Sequence, residues 1–164
     1  MYEGITPEEN RLFTTSTGNW TGPITWEPGP VYGQTGVVRA IVAPDAGIAY
    51  VKLQYPYCKP LKKKLNAFTI ATQKAPPGPF VHEIKLILTD GSYLFESPLY
   101  YLTIDFNWIG FGYEPMIPED WKTNQTQLII MLHETSIYET YLYLKYASLS
   151  ALTKVDHLPI LGVG

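Results

Sequence analysis

A two-residue beat limits this chain more than anything else in it. From 80 to 88, Phe80, His82, Ile84, Leu86 and Leu88 fall on one parity, and Val81, Glu83, Lys85 and Ile87 on the other. Thr140-Tyr141-Leu142-Tyr143-Leu144-Lys145-Tyr146-Ala147-Ser148-Leu149 repeats the beat near the C-terminal end. Successive side chains of a strand point to opposite faces, so this period makes a pleated ribbon with one dry side. Similar short runs stand between: Ile24-Thr25-Trp26, residues 37–43, 48–55, 66–72, 99–106 and 127–133. Leu12-Phe13-Thr14-Thr15 reads as a further short strand, and nothing between these runs has the period of a helix.

Turn chemistry separates the runs. Gly18-Asn19-Trp20-Thr21-Gly22 and Pro44-Asp45-Ala46-Gly47 are reversals, and Asp90-Gly91 is the strongest hairpin signal. The runs at 37–43 and 48–55 are expected to pair as a hairpin around Pro44 to Gly47, and Tyr93-Leu94-Phe95-Glu96 to return along the strand before Asp90. Residues 107–124, with prolines at 115 and 118, read as a long aromatic loop. About eight to ten strands at this spacing predict an all-β fold, a two-sheet antiparallel jelly-roll sandwich.

Composition sets the remaining bounds. At 164 residues and 46% apolar, the chain suits one domain: a sandwich over 11–152, with extended arms at 1–10 and 153–164. A net charge of −3 leaves no basic footprint for nucleic acid. No run approaches the roughly 18 apolar residues of a membrane helix, and Met1-Tyr2-Glu3-Gly4-Ile5 carries no export signal, so no membrane partner is expected. Cys58 is the one cysteine, which excludes an intrachain disulfide and reads as a small buried hydrophobe.

The order of these landmarks carries a resemblance. Gly18-Asn19-Trp20-Thr21-Gly22, then Gly33-Gln34-Thr35-Gly36 leading into Val37-Val38-Arg39-Ala40, then Gly47-Ile48-Ala49-Tyr50-Val51, and last Leu144-Lys145-Tyr146-Ala147-Ser148-Leu149 resemble jelly-roll carbohydrate-binding modules of the galactose-binding-like type. The likeness spans about residues 11–152, a shape also seen in phage decoration and fibre proteins. It implies that Trp20 is a core plug and that the fold can present glycans or protein partners. Where that family's closing strand carries an acid that helps hold a structural calcium, this chain places Lys145, so no metal or other cofactor is expected.

Catalytic patterns are sparse. His82, His133 and His157 have no second histidine or cysteine at ligand spacing, and His82 on the apolar parity reads as a satisfied core histidine. No nucleophile-elbow sequence is present, and the acid pairs Asp105 with Glu114 and Glu134 with Glu139 have no reason to converge. Asn124-Gln125-Thr126 matches a glycosylation sequon and reads as chance, and Lys62-Lys63-Lys64 as a solvated loop. Aromatic side chains stack on the C–H faces of sugars and equally anchor protein interfaces. The expected binding residues are therefore Trp108, Phe111, Tyr113 and Trp121, with Asn107, Glu114 and Asp120 for hydroxyl groups. Two functions are expected from this set. One is a non-catalytic component of a virion or similar particle, on its surface or extracellular, with arms docked on neighbouring subunits in a homo-oligomer. The alternative is a stand-alone carbohydrate-binding module recognising a glycan.

Overall fold

The computed structural model describes residues 5–31, 33–73, 79–102 and 108–151. They form two antiparallel sheets around one core. The first sheet runs β1 (Ile24–Glu27), β2 (Val37–Val42), β10 (Thr140–Ala151), β4 (Asn66–Gln73) and β8 (Ile109–Tyr113), in that spatial order. The second runs β3 (Gly47–Gln54), β9 (Gln127–Glu134), β5 (Glu83–Thr89) and β6 (Leu94–Glu96), and β7 (Tyr100–Tyr101) pairs with β5 beside β6. This is the sandwich that the alternation demands.

Parity decides which side chains enter the core. Ile84, Leu86 and Leu88 of β5 face Leu142, Leu144 and Leu149 of β10 across the interior, and all are almost completely buried. The Asp90-Gly91 turn closes the expected hairpin, with Ile87 opposite Glu96 and Thr89 opposite Leu94. Glycine is required at both ends of the Gly18 to Gly22 turn. A Cβ at Gly18 (φ +62°) would stand 2.2 Å from Asn10 Oδ1, and one at Gly22 (φ +131°) 2.4 Å from the Tyr50 carbonyl. Between them Trp20 plugs the core, 4% exposed, its indole N–H donating to the Asn10 carbonyl at 2.7 Å.

Three expectations are corrected. The runs at 37–43 and 48–55 do not form a hairpin: β2 lies in the first sheet and β3 in the second, so the Pro44 to Gly47 turn carries the chain between layers. Turn residues state that the chain reverses, not which sheet receives it. Leu12 to Thr15 is not a strand; Phe13 sits at φ 55° with its ring buried. A single turn of helix, α1 (Glu8–Arg11), precedes it. The stretch 107–124 is not one loop, because β8 pairs with β4 within it. Residues 5–10, expected to belong to an extended arm at 1–10, lie on their own sandwich, with Thr6 donating to the Leu149 carbonyl at 3.0 Å and Ile5 bridging Ser150. Residues 152–164, which include the arm expected at 153–164, are outside the described residues, as are residues 103–106 of the strand expected at 99–106.

Candidate functional site

The sequence-derived aromatic set is dispersed along one edge of the sandwich. β8 is an edge strand, and its register sets Phe111 opposite Ile70 and Tyr113 opposite Phe68, so both rings turn toward the core. Tyr100 closes over them: its ring centroid is 5.2 Å from that of Phe111, and its hydroxyl donates to the Gly112 carbonyl at 2.7 Å. Burial raises the Tyr113 phenol above its ordinary pKa, with smaller contributions from Tyr100 and Glu96. Trp121 is 1% exposed and stacks with Tyr93 and Phe95 at centroid distances near 6 Å. It therefore offers no face to a ligand, which corrects its assignment as a sugar platform. The Tyr93 hydroxyl donates to Asp120 at 2.6 Å, and that bond, ahead of burial and charge, raises the Tyr93 pKa. Trp108 is half-buried and Glu114 exposed, while Asn107 lies outside the described residues. Among the described residues, Trp108, Phe111, Tyr113, Glu114, Asp120 and Trp121 line neither of the two hollows walled by Gln54 and Tyr55.

A different set does converge. At one end of the second sheet, the last residues of β3, the turn after β5 and the start of β9 enclose a groove of about 370 Å³, lined by Gln54, Tyr55, Gly91, Asn124, Gln125 and Gln127 with Thr89, Asp90 and Thr126. A second hollow of about 250 Å³, lined by Asn19, Thr21 and Tyr57, shares Gln54 and Tyr55 as its wall. Strand register explains the floor: Gln127 stands opposite both Gln54 and Thr89, one row across three strands. Tyr55 and Tyr57 are both partly open to solvent on its rim. Among the described residues, no hydrogen bond occupies the side-chain amides of Gln54, Asn124, Gln125 or Gln127.

The groove is braced from below by residues the sequence drew attention to for other reasons. Trp121 donates its indole N–H to the Thr126 hydroxyl at 2.8 Å. Asp90 accepts from the backbone N–H groups of Ser92 (2.8 Å), Tyr93 (2.7 Å) and Lys122 (2.7 Å), tying the loop around 120–126 to the hairpin turn. Burial by itself would raise the Asp90 pKa; the three N–H groups and the Lys122 charge outweigh it and hold the carboxyl below its ordinary value. Gly91, at φ 90°, lets Gln125 approach: a Cβ there would be 3.2 Å from Gln125 Oε1. Sequence reasoning passed over this site although the signal was present. Asn124-Gln125-Thr126 fits a sequon, but with Gln127 it is also a run of amides beside a tight turn.

Other reactive groups are accounted for elsewhere. Burial pushes the Cys58 thiol up to about 12, so it packs rather than reacts. His82 is not a core residue: its side chain is 45% exposed at the far end of β5, where Nδ1 lies 2.5 Å from Glu134 Oε1. His133 pairs likewise with Glu83 at 2.6 Å. Glu134 and Glu139 do not form an acid pair, since Glu139 contacts Arg39 at 3.5 Å instead. Asp105 is outside the described residues.

Lys145, flagged as the misfit at a cation position, donates to three backbone carbonyls: Leu12 at 3.0 Å, Thr35 at 2.8 Å and Gly36 at 2.9 Å. Three carbonyls with an ammonium already at their focus do not suit calcium, which takes 6–8 oxygens, carboxylates prominent among them.

No family model matches the sequence, and no curated protein matches it. Solved structures do match in fold. The Stig cyclase Fisc from Fischerella sp. TAU, in complex with (3Z)-3-(1-methyl-2-pyrrolidinylidene)-3H-indole, aligns at TM-score 0.64 and 11% identity, over 90% of this chain and 97% of that one. TmCBM61, in complex with beta-1,4-galactotriose, aligns at TM-score 0.58 and 13% identity, over 88% and 97%. The enzymatically active domain of bacteriophage CBA120 tailspike protein 4 aligns at TM-score 0.63 and 7% identity, over 91% of this chain but only 22% of that longer one. Carbohydrate-binding modules of families 4, 16 and 22 share the fold as well. The chain has the jelly-roll fold of carbohydrate-binding modules, as the order of its turns and strands implied.

Proposed function

We propose that the chain is a non-catalytic module that holds a neutral oligosaccharide in the groove of Gln54, Tyr55, Asn124, Gln125 and Gln127. The observation that supports this most is the lining itself: four unengaged side-chain amides beside exposed tyrosines. An amide donates and accepts at once, which matches a sugar hydroxyl, and a tyrosine face matches the C–H side of the ring. The groove's volume lies within the range of small-ligand sites, about 300–1,000 Å³. Asp90, the one ionised group among the lining residues, is already engaged by backbone N–H groups, and the Lys59 ammonium stands over the Tyr55 ring at 5.5 Å rather than in the lining, so an uncharged glycan is the ligand proposed. The likeness to sugar-binding modules of the same fold points the same way. Trp108 and Glu114 remain proposed as accessory contacts.

A second reading, a surface component of a virion or other particle, draws on the likeness to part of a phage tailspike. Its arms lose weight from residues 5–10 packing on their own β10. The two readings are compatible. Affinity electrophoresis in gels cast with neutral polysaccharides tests the first: we expect one or more to retard the native chain, Tyr55→Ala to run free, and the bound polymer to remain uncleaved. Free migration of the native chain through a wide polysaccharide panel would remove this reading.

A further inference from the structure

Two separate segments turn three carbonyls toward one point. Leu12 follows α1, and Thr35 and Gly36 end the loop before β2; none is near Lys145 in sequence, yet all three oxygens sit within 3.0 Å of its ammonium. β10 explains how the side chain gets there. Its register against β4 shifts between Leu144 and Tyr146, so Lys145 is the extra residue of a bulge, and a bulge re-aims its side chain out of the pleat. The receiving backbone is shaped for the contact. Phe13 adopts φ 55°, and Gly36 adopts φ 69°, where a Cβ would strike the Phe13 and Thr14 carbonyls at 2.7 and 2.9 Å. An ammonium has three protons, and here each has one acceptor.

The charge balance is equally specific. Lys145 forms no ion pair among the described residues, and burial is the one influence that shifts it, drawing the amine below the usual lysine range. A cation without a counter-ion, ringed by carbonyl dipoles, is the arrangement of a bound metal ion rather than of a surface lysine. We infer that Lys145 is a built-in structural cation: its tethered ammonium fills a carbonyl cage, pins residues 12–13 and 35–36 to β10, and makes the fold's stability independent of divalent ions. The cage is then a latent metal site. Replacing lysine by glutamate puts a carboxylate oxygen one atom short of the ammonium's place, adding the anionic donor that three carbonyls lack for calcium.

Thermal melting of the native chain, Lys145→Met and Lys145→Glu, each in EDTA and in millimolar calcium chloride, tests this. The native chain should melt at the same temperature in both. Lys145→Met should melt lower by about 3–8 °C in both, and Lys145→Glu should melt low in EDTA and recover in calcium, or be recovered folded only with calcium present. A native midpoint that rises with calcium and falls with EDTA overturns the inference, as does Lys145→Met melting like the native chain or Lys145→Glu indifferent to calcium. Should neither variant be recovered folded, the native chain's own response still decides.

Discussion

The aromatic edge and the amide groove use their residues in opposite ways. At the edge, Phe111 and Tyr113 pack on the core with Tyr100 against Phe111, and Trp121 stacks on Tyr93 and Phe95, with hydroxyl and indole protons already donated to Gly112 and Thr126. In the groove, Gln54, Asn124, Gln125 and Gln127 present donors and acceptors that no described residue uses. The first region has spent its chemistry on closing a sandwich edge; the second has kept it available. Large aromatic rings gain more from burial than any other side chains, so they are drawn inward, whereas an amide at a strand end gains little by folding away.

Substitutions separate the two regions by size and kind of effect. Trp121→Ala should cost about 3–5 kcal/mol of stability in urea unfolding; a loss below about 1 kcal/mol would mean the indole is not part of the edge's packing. Asp90→Ala, which strands three N–H groups, should cost about 2 kcal/mol and loosen the groove with it. Because folding depresses the Asp90 pKa, its contribution is complete above the ordinary aspartate value near 4 and fades as pH falls through the folded value. An acid titration of stability should therefore be shallower for Asp90→Asn than for the native chain; equal slopes would dissociate Asp90 from acid sensitivity. Tyr55→Ala should weaken glycan binding about tenfold, about 1.4 kcal/mol, with the melting temperature almost unchanged. A fall in stability as large as that of Trp121→Ala would place Tyr55 with the edge instead. Smallest of all, Cys58 should resist a thiol reagent in the native state and react only on unfolding; rapid native modification would contradict its burial.

Much of the fold was legible because period and turn chemistry are local. The strand at 83–89, its hairpin through Asp90-Gly91 and the long closing strand β10 follow directly from alternation. Layer assignment was not legible, since β2 and β3 look like neighbours in sequence yet have their ladder partners elsewhere, in β10 and β9. The edge was misread for a related reason. Phe111 and Tyr113 flank Gly112, a spacing that fits an exposed loop as well as an edge strand, and burial of Trp121 depends on Tyr93 and Phe95 from another hairpin. The groove needed three strand ends to meet, which no window of sequence displays; Lys145 was noticed as a misfit, but its three partners come from remote loops.

The central claim is that recognition belongs to the amide groove. Backbone amide shifts of the isotope-labelled chain, followed while a neutral oligosaccharide identified by gel retardation is added, test it most directly. The account expects saturable shifts centred on Gln54, Tyr55, Gly91 and residues 124–127. Shifts centred on Trp108, Phe111 and Tyr113, with the groove silent, would contradict it.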